Sequence, residues 1–256
     1  KISENKTYTQ FIPYTDRLNY CSSPINNLGW HMTVEKLIGA EIPKRVDYLR
    51  VIVMELARIA DHIICNSVIG VDTGALTGFT YIFQWREKIY DIYEEICGAR
   101  LTTNIGRIGG FERQWSERAW TLIDTFVKEF PAGLKEFESL LVRNRIFMDR
   151  TIKAGPVSAE MALDYGFTGP NLRACGVDYD VRVMNPYSSY QDFEFVIPIG
   201  TQGDVYDRFM VRSEEMWQSI SIINQAISKI DRKQGEFHGN VPEFYLPEKA
   251  DVYNNM

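Results

Sequence analysis

"PKRVDYLRVIVMELARIADHIICNSVIG", residues 43–70, decides the fold. Its apolar positions Val46, Leu49, Val53, Leu56, Ala60 and Ile63 step by three and four, the spacing of one buried helical stripe. Pro43 suits a helix start, and Gly70 is read as its close. Working outward, Ile82, Trp85, Ile89, Ile92 and Ile96 give a second stripe that runs to Gly98. A helix before it is expected from Ser23-Pro24 to Gly39. Residues 116–142 read as a helical pair interrupted at Pro131, and a last long helix carries Met216, Ile220, Ile223, Ile227 and Ile230.

Short connections between these stripes predict a mainly α fold, an antiparallel helical bundle. Only "DYDVRVM" and "FEFVIPIG" alternate like strands, so a small β element is expected near residues 178–200. With no repeat and no composition break, residues 1–256 read as a single helical core domain, with 232–256 an extended arm.

Composition narrows the function class. Hydrophobic residues make up 45% of the 256, which is enough for a large core. A net charge of −6 argues against a nucleic-acid binder, which normally shows a basic face. No apolar run approaches the roughly 20 residues that cross a bilayer. Cys21, Cys65, Cys97 and Cys175 have no CxxC or metal-knuckle spacing, and read as buried thiols that hold no metal.

Three interruptions between helices carry the polar chemistry. "GARLTTNIGRIGG", residues 98–110, sets Arg100 and Arg107 among four glycines, as if pressed against something negative. It has neither the lysine of a P-loop nor the spacing of a dinucleotide loop. "YTDRLNYCSSP", residues 14–24, places Asp16, Arg17 and Tyr20 just before a helix. "GVDTGALTG", residues 70–78, places Asp72 between two helices. Each has a plainer reading: Tyr20 as a core tyrosine, Asp72 as a helix cap, Arg17 as a salt-bridge partner. His31, His62 and His238 lack ligand spacing.

Taken in order, "YTDRLNY", "VEKLIGAEIP", "RVIVMELARIADHI", "DTGALTGF", "GARLTTNIGRIGG" and "IPIGTQGDVYDRFMVRSEEM" resemble the D-type (49 kDa-type) subunit of respiratory complex I, NADH:quinone oxidoreductase. The resemblance runs from Lys1 to about Ile230 and implies the fold of the nickel–iron hydrogenase large subunit without its metal. It also implies truncation at both ends, because Lys1 matches the last residue of the family's H-R-G-x-E-K segment. The upstream hairpin, whose histidine faces the quinone headgroup, would then lie outside the chain.

By resemblance, Tyr20 hydrogen-bonds a quinone carbonyl and Asp72 orients that histidine. Arg17, Arg100, Thr102 and Arg107 face a terminal [4Fe–4S] cluster held by the B-type subunit. The C-type and I-type subunits and the H-type membrane subunit are the other implied partners, with quinone as substrate. The implied location is the cytoplasmic side of a bacterial inner membrane, peripherally bound. By the same resemblance, many relatives carry a histidine where this chain has Thr102, a departure that removes a titratable charge and points to menaquinone. Two rivals stay open: a membrane-bound nickel–iron hydrogenase, which needs a CxxC that "RLNYCSS" lacks, and a non-catalytic docking scaffold.

Overall fold

The computed structural model describes residues 1–233, 235–241, 244 and 249–254. It is mainly helical. The α-helices are α1 (Tyr8–Thr15), α2 (Ser23–Ile38), α3 (Lys44–Asp72), α4 (Leu76–Cys97) and α5 (Glu117–Leu141), followed by α6 (Arg145–Thr151), α7 (Ala159–Asp164) and α8 (Gly169–Ala174). Then come α9 (Val181–Met184), α10 (Val205–Lys229) and α11 (Lys249–Asn254).

Helix α3 is the central post, and α2, α4 and α10 pack on it. Its residues from Tyr48 to Ala57 are all buried, so a polar face is absent over that stretch and the single stripe understates its burial. Helix α2 has Pro24 in its first turn, and Gly39 at φ 68° ends it in the left-handed conformation. Gly98 at φ 83° closes α4 in the same way. Helix α3 runs past Gly70 to Asp72, and Gly74 at φ 92° makes the turn into α4.

Two expectations are corrected. Helix α5 is continuous through Pro131 rather than a broken pair. Proline removes one backbone hydrogen bond, a cost of about 3 kcal/mol in a helix interior. The buried face of Phe126, Phe130, Leu134, Phe137 and Leu141, packed on α4, outweighs it. Gly133 is required there, since a Cβ would lie 2.2 Å from Trp85 Nε1 of α4.

The second correction concerns residues 178–200, which contain no strand. The alternation in "DYDVRVM" is real but inverted: Asp180 and Arg182 are buried, whereas Val181 and Val183 are exposed. Asp180 caps the short helix α9 by accepting from the Arg182 N–H at 2.9 Å. In "FEFVIPIG" the backbone hangs on side chains of α10. The Glu194 and Val196 N–H groups donate to Gln225 Oε1 and Gln218 Oε1 at 2.9 and 3.0 Å.

Helix α10 begins well before Met216, because Asp204 accepts from the Asp207 N–H at 2.9 Å and fixes its start. Of the region expected as an arm, residues 235–241 lie beside the 98–110 loop. The Phe111 N–H donates to Phe237 O and the Gly239 N–H to Gly109 O, both at 2.8 Å. Lys249–Asn254 is helical, and residues 234, 242, 243, 245–248, 255 and 256 lie outside the described residues.

Candidate functional site

The 98–110 loop is clamped by buried polar side chains from the end of α1 and from α2. Asp16 Oδ1 accepts from the Asn104 N–H at 3.2 Å, and Asn27 Oδ1 accepts from the Ile105 N–H at 3.2 Å. Glu35 Oε1 accepts from the Gly109 N–H at 2.6 Å while Arg50 grips both Glu35 oxygens at 2.8 and 2.5 Å. Burial raises the Asp16 carboxyl, opposed by its hydrogen bond from Asn104. His31, fully buried beside this clamp, is held well below its ordinary value by burial and then by Arg50 and Arg107. Neither of its ring nitrogens has a hydrogen-bond partner among the described residues.

The loop's two arginines meet different surroundings. Arg100 is held by three carboxylates of α4, Glu87, Asp91 and Glu94, at 2.6, 2.7 and 3.1 Å. The hydrogen bonds it donates to those acids raise it above its ordinary value. Its charge is therefore balanced within the chain. Arg107 Nη1 donates to the carbonyls of Asn104 and Gly106 at 3.0 and 2.7 Å, and Nη2 pairs with Glu112 at 2.7 Å. It lines a polar cavity of about 280 Å³ with Cys97, Thr103, Glu112 and Arg113. Thr102 is half-buried at φ 46°.

Arg17 is exposed on its side chain, donates to Pro13 O at 2.5 Å and lies 3.6 Å from buried Asp16. Tyr20 is not a core tyrosine. It is 59% exposed, and its hydroxyl has no hydrogen-bond partner among the described residues. Asn19, beside it, holds the segment in place: its Oδ1 accepts from the Cys21 N–H at 3.3 Å and its Nδ2 reaches Asp61 of α3 at 3.4 Å.

Asp72 is not a cap either, since α4 has Ala75 at that position with no side-chain hydrogen bond. It ends α3, exposed, where the partial negative charge of the helix C-terminus disfavours a carboxylate. The long-range contact that places the Tyr20 segment is made by its neighbour Asn19. The Tyr20 segment docks at Asp61, and Asp72 lies three turns further along the same face of α3, about 16 Å at 1.5 Å per residue.

An ionic network in the core escaped the sequence reading. Glu55 accepts from Tyr190 Oη at 2.5 Å, Ser219 Oγ at 2.6 Å, Arg182 Nη1 at 3.2 Å and Arg58 Nε at 3.2 Å. Arg182 continues to Asp180 at 2.7 Å. Arg173 joins Asp180 at 3.5 Å to Glu215 at 2.5 Å, and His62 Nε2 lies 2.7 Å from Glu215. The available signal was Glu55, Arg58 and His62 at helical spacing inside an otherwise apolar run. No group of three or more histidine, cysteine, aspartate or glutamate side chains among the described residues is placed to hold a metal ion.

Known proteins share this sequence closely. Residues 72–256 match the family model described as "Respiratory-chain NADH dehydrogenase, 49 Kd subunit". The whole chain is 66% identical to the D-type NADH-quinone oxidoreductase subunit of Flavobacterium johnsoniae, covering 62% of that protein. It is 49% identical to the D-type subunit of Leptospira biflexa, covering 63%. To the fused C/D-type subunit of Bdellovibrio bacteriovorus it is 46% identical, covering 45%. The chain thus spans about three-fifths of the length of the D-type proteins it matches. A family match over residues 72–256, joined to identity that runs from the first residue to the last, places the chain in the family of the 49 kDa subunit of respiratory-chain NADH dehydrogenase.

Proposed function

We propose that this chain is the quinone-facing part of the D-type subunit in an NADH:quinone oxidoreductase, working within a complex. The observation that carries the reading is Tyr20. Its phenol is 59% exposed, with a hydroxyl unpaired among the described residues, beside the face of α3 that ends at Asp72. A quinone taking two electrons and two protons builds negative charge on its carbonyl oxygens, and a phenol donor stabilises that charge. Asp72 is assigned the orienting of a histidine donor outside this chain. A carboxylate beside imidazole fixes its tautomer and stabilises its protonated form.

The B-type subunit is assigned the terminal [4Fe–4S] cluster, which supplies the electrons. Toward it we assign the loop of Thr102 and Arg107 together with Arg17, whose guanidinium is the more exposed. Arg100, already balanced by Glu87, Asp91 and Glu94, serves that face by anchoring the loop to α4. The C-type, I-type and H-type subunits are the remaining partners in this reading, and the location is the cytoplasmic side of a bacterial inner membrane, peripherally bound. Among the described residues, no helix is long and apolar enough to cross a membrane.

Menaquinone is the proposed substrate. Thr102 carries no charge, whereas a protonated histidine about 5 Å from a cluster contributes about 3 kcal/mol at an effective dielectric near 20. For one electron that is about 140 mV, an upper bound on the lowering expected here. In the assembled complex, Tyr20→Phe is expected to lower quinone reduction severely while assembly stays normal. Normal turnover in that variant defeats the assignment.

A further inference from the structure

A cleft of about 620 Å³ opens between the C-terminal end of α3, α6 and the start of α10. Arg150, Arg208 and Arg212 line it, over a floor that includes Ile69, Val157 and Phe167. Arg208 and Arg212 stand one turn apart on α10, so they face the cleft together.

All three guanidinium groups are held by neutral oxygens. Arg150 Nη1 donates to Thr73 O at 2.6 Å. Arg208 Nη1 and Nη2 donate to Gly203 O and Gly155 O at 2.5 and 3.0 Å. Arg212 Nη1 and Nη2 donate to Arg208 O and Asn171 Oδ1, both at 2.8 Å. None of the three forms a salt bridge with a described residue, whereas Arg100, Arg173 and Arg182 each have carboxylate partners. Carbonyl acceptors fix a guanidinium without cancelling its charge. Among the described residues Asp72 is the one acid on the cleft wall, so the cleft is cationic on a chain whose net charge is −6.

We infer that this cleft is a docking site for a carboxylate-rich segment of a partner protein, with its acids on the three arginines and an apolar side chain on the floor. The planar forks, pre-set by backbone carbonyls, match carboxylates. Free phosphate is far smaller than the cleft and leaves the apolar floor uncovered. An anionic bilayer is flat and brings its whole charge against an acidic chain, within a Debye length of about 8 Å. A single acidic segment meets only the cationic cleft. Docking here needs no role for Tyr20, and its test reads binding rather than turnover.

The test uses the full-length subunit and a fluorescein-labelled peptide, acetyl-Glu-Glu-Phe-Glu-Glu-amide, followed by anisotropy. Saturable binding is expected, about tenfold weaker in each of Arg208→Gln and Arg212→Gln and about a hundredfold weaker in the double variant. The glutamine analogue of the peptide is expected not to bind. Should the α10 variants fail to fold, Arg150→Gln on the exposed face of α6 carries the same expectation of about a tenfold loss. No binding, or equal binding in the folded variants, overturns the inference. So does displacement by inorganic phosphate at the peptide's own concentration, which reveals a simple anion site. Arginine-dependent capture by phosphatidylglycerol vesicles without peptide binding overturns it in favour of a lipid.

Discussion

Glu55→Gln tests the buried network at its most connected point. The glutamine keeps the shape of the side chain but turns one acceptor oxygen into a donor, facing Arg58, Arg182, Tyr190 and Ser219, which all donate. Burial would raise the Glu55 carboxyl, yet Arg58 and Arg182 hold it below its ordinary value, so it is the anion that the site binds. Arg182 retains Asp180, whereas Arg58 has Glu55 as its salt-bridge partner among the described residues. Hydrogen bonds to charged groups contribute about 1.5–3 kcal/mol each, and stripping one partner from a buried pair costs about 3–5 kcal/mol. At about 1 °C per kcal/mol for a full-length subunit well beyond these 256 residues, the midpoint of thermal unfolding is expected to fall by about 4 °C. Glu55→Met with Arg58→Met removes both charges and should be less damaging than the sum of the single variants. A Glu55→Gln protein within about 1 kcal/mol of the parent in denaturant unfolding refutes the reasoning.

Three further outcomes follow from the same geometry. Glu215 is buried but held well below the carboxylate range by the hydrogen bond and charge of His62 and by Arg173, and Asp180 is lowered by Arg182. Depressed carboxyls contribute stability above their unfolded values, about 4, and lose it as pH falls through the folded ones. Denaturant midpoints should therefore drop below about pH 4, and Glu215→Gln should flatten that drop; an unchanged slope counts against it. Gly133→Ala should destabilise the α4–α5 contact by about 1–3 kcal/mol, because Trp85 must move out of a 2.2 Å clash; a wild-type melting temperature refutes it. Thr102→His should raise the potential of the terminal cluster in the assembled complex and give it a slope up to about 59 mV per pH unit; redox titration that finds parent behaviour removes the case for menaquinone.

The helices were legible because their signals are local. Pro24 and Gly39 bracket α2, and Gly98 stops α4, each through its own backbone constraint. Pro131 misled because its local cost is visible in sequence while the packing of α5 on α4 is not. Asp180 and Arg182 misled in the opposite sense: charged residues read as outward-facing until a partner 127 residues away in sequence, Glu55, draws Arg182 inside. At the candidate site, the types of Tyr20 and Asp72 were visible, but where the 14–24 segment sits on α3 was not, because it depends on the contact of Asn19 with Asp61, 42 residues away in sequence. Arg100 looked like a free cation because Glu87, Asp91 and Glu94 lie on the preceding helix, and only the turn at Gly98 folds it back onto them.

Thr102 has a second consequence, separate from charge. Its φ of 46° belongs to a region where β-branched side chains are outliers, and where asparagine, aspartate and histidine are several-fold enriched. Asn104, two residues on, shares the same φ, and Asp16 grips the Asn104 N–H, so the clamp holds the turn in which the threonine sits. Such strain costs about 1–3 kcal/mol. A histidine at this position would meet a backbone better suited to it, so the imidazole and the left-handed turn form one compatible unit. The threonine gives up both the titratable proton and the comfortable backbone. Exchanging the two residues therefore moves the electrostatics of the loop and its rigidity in a single step, and neither can be tuned at position 102 while the other is held still.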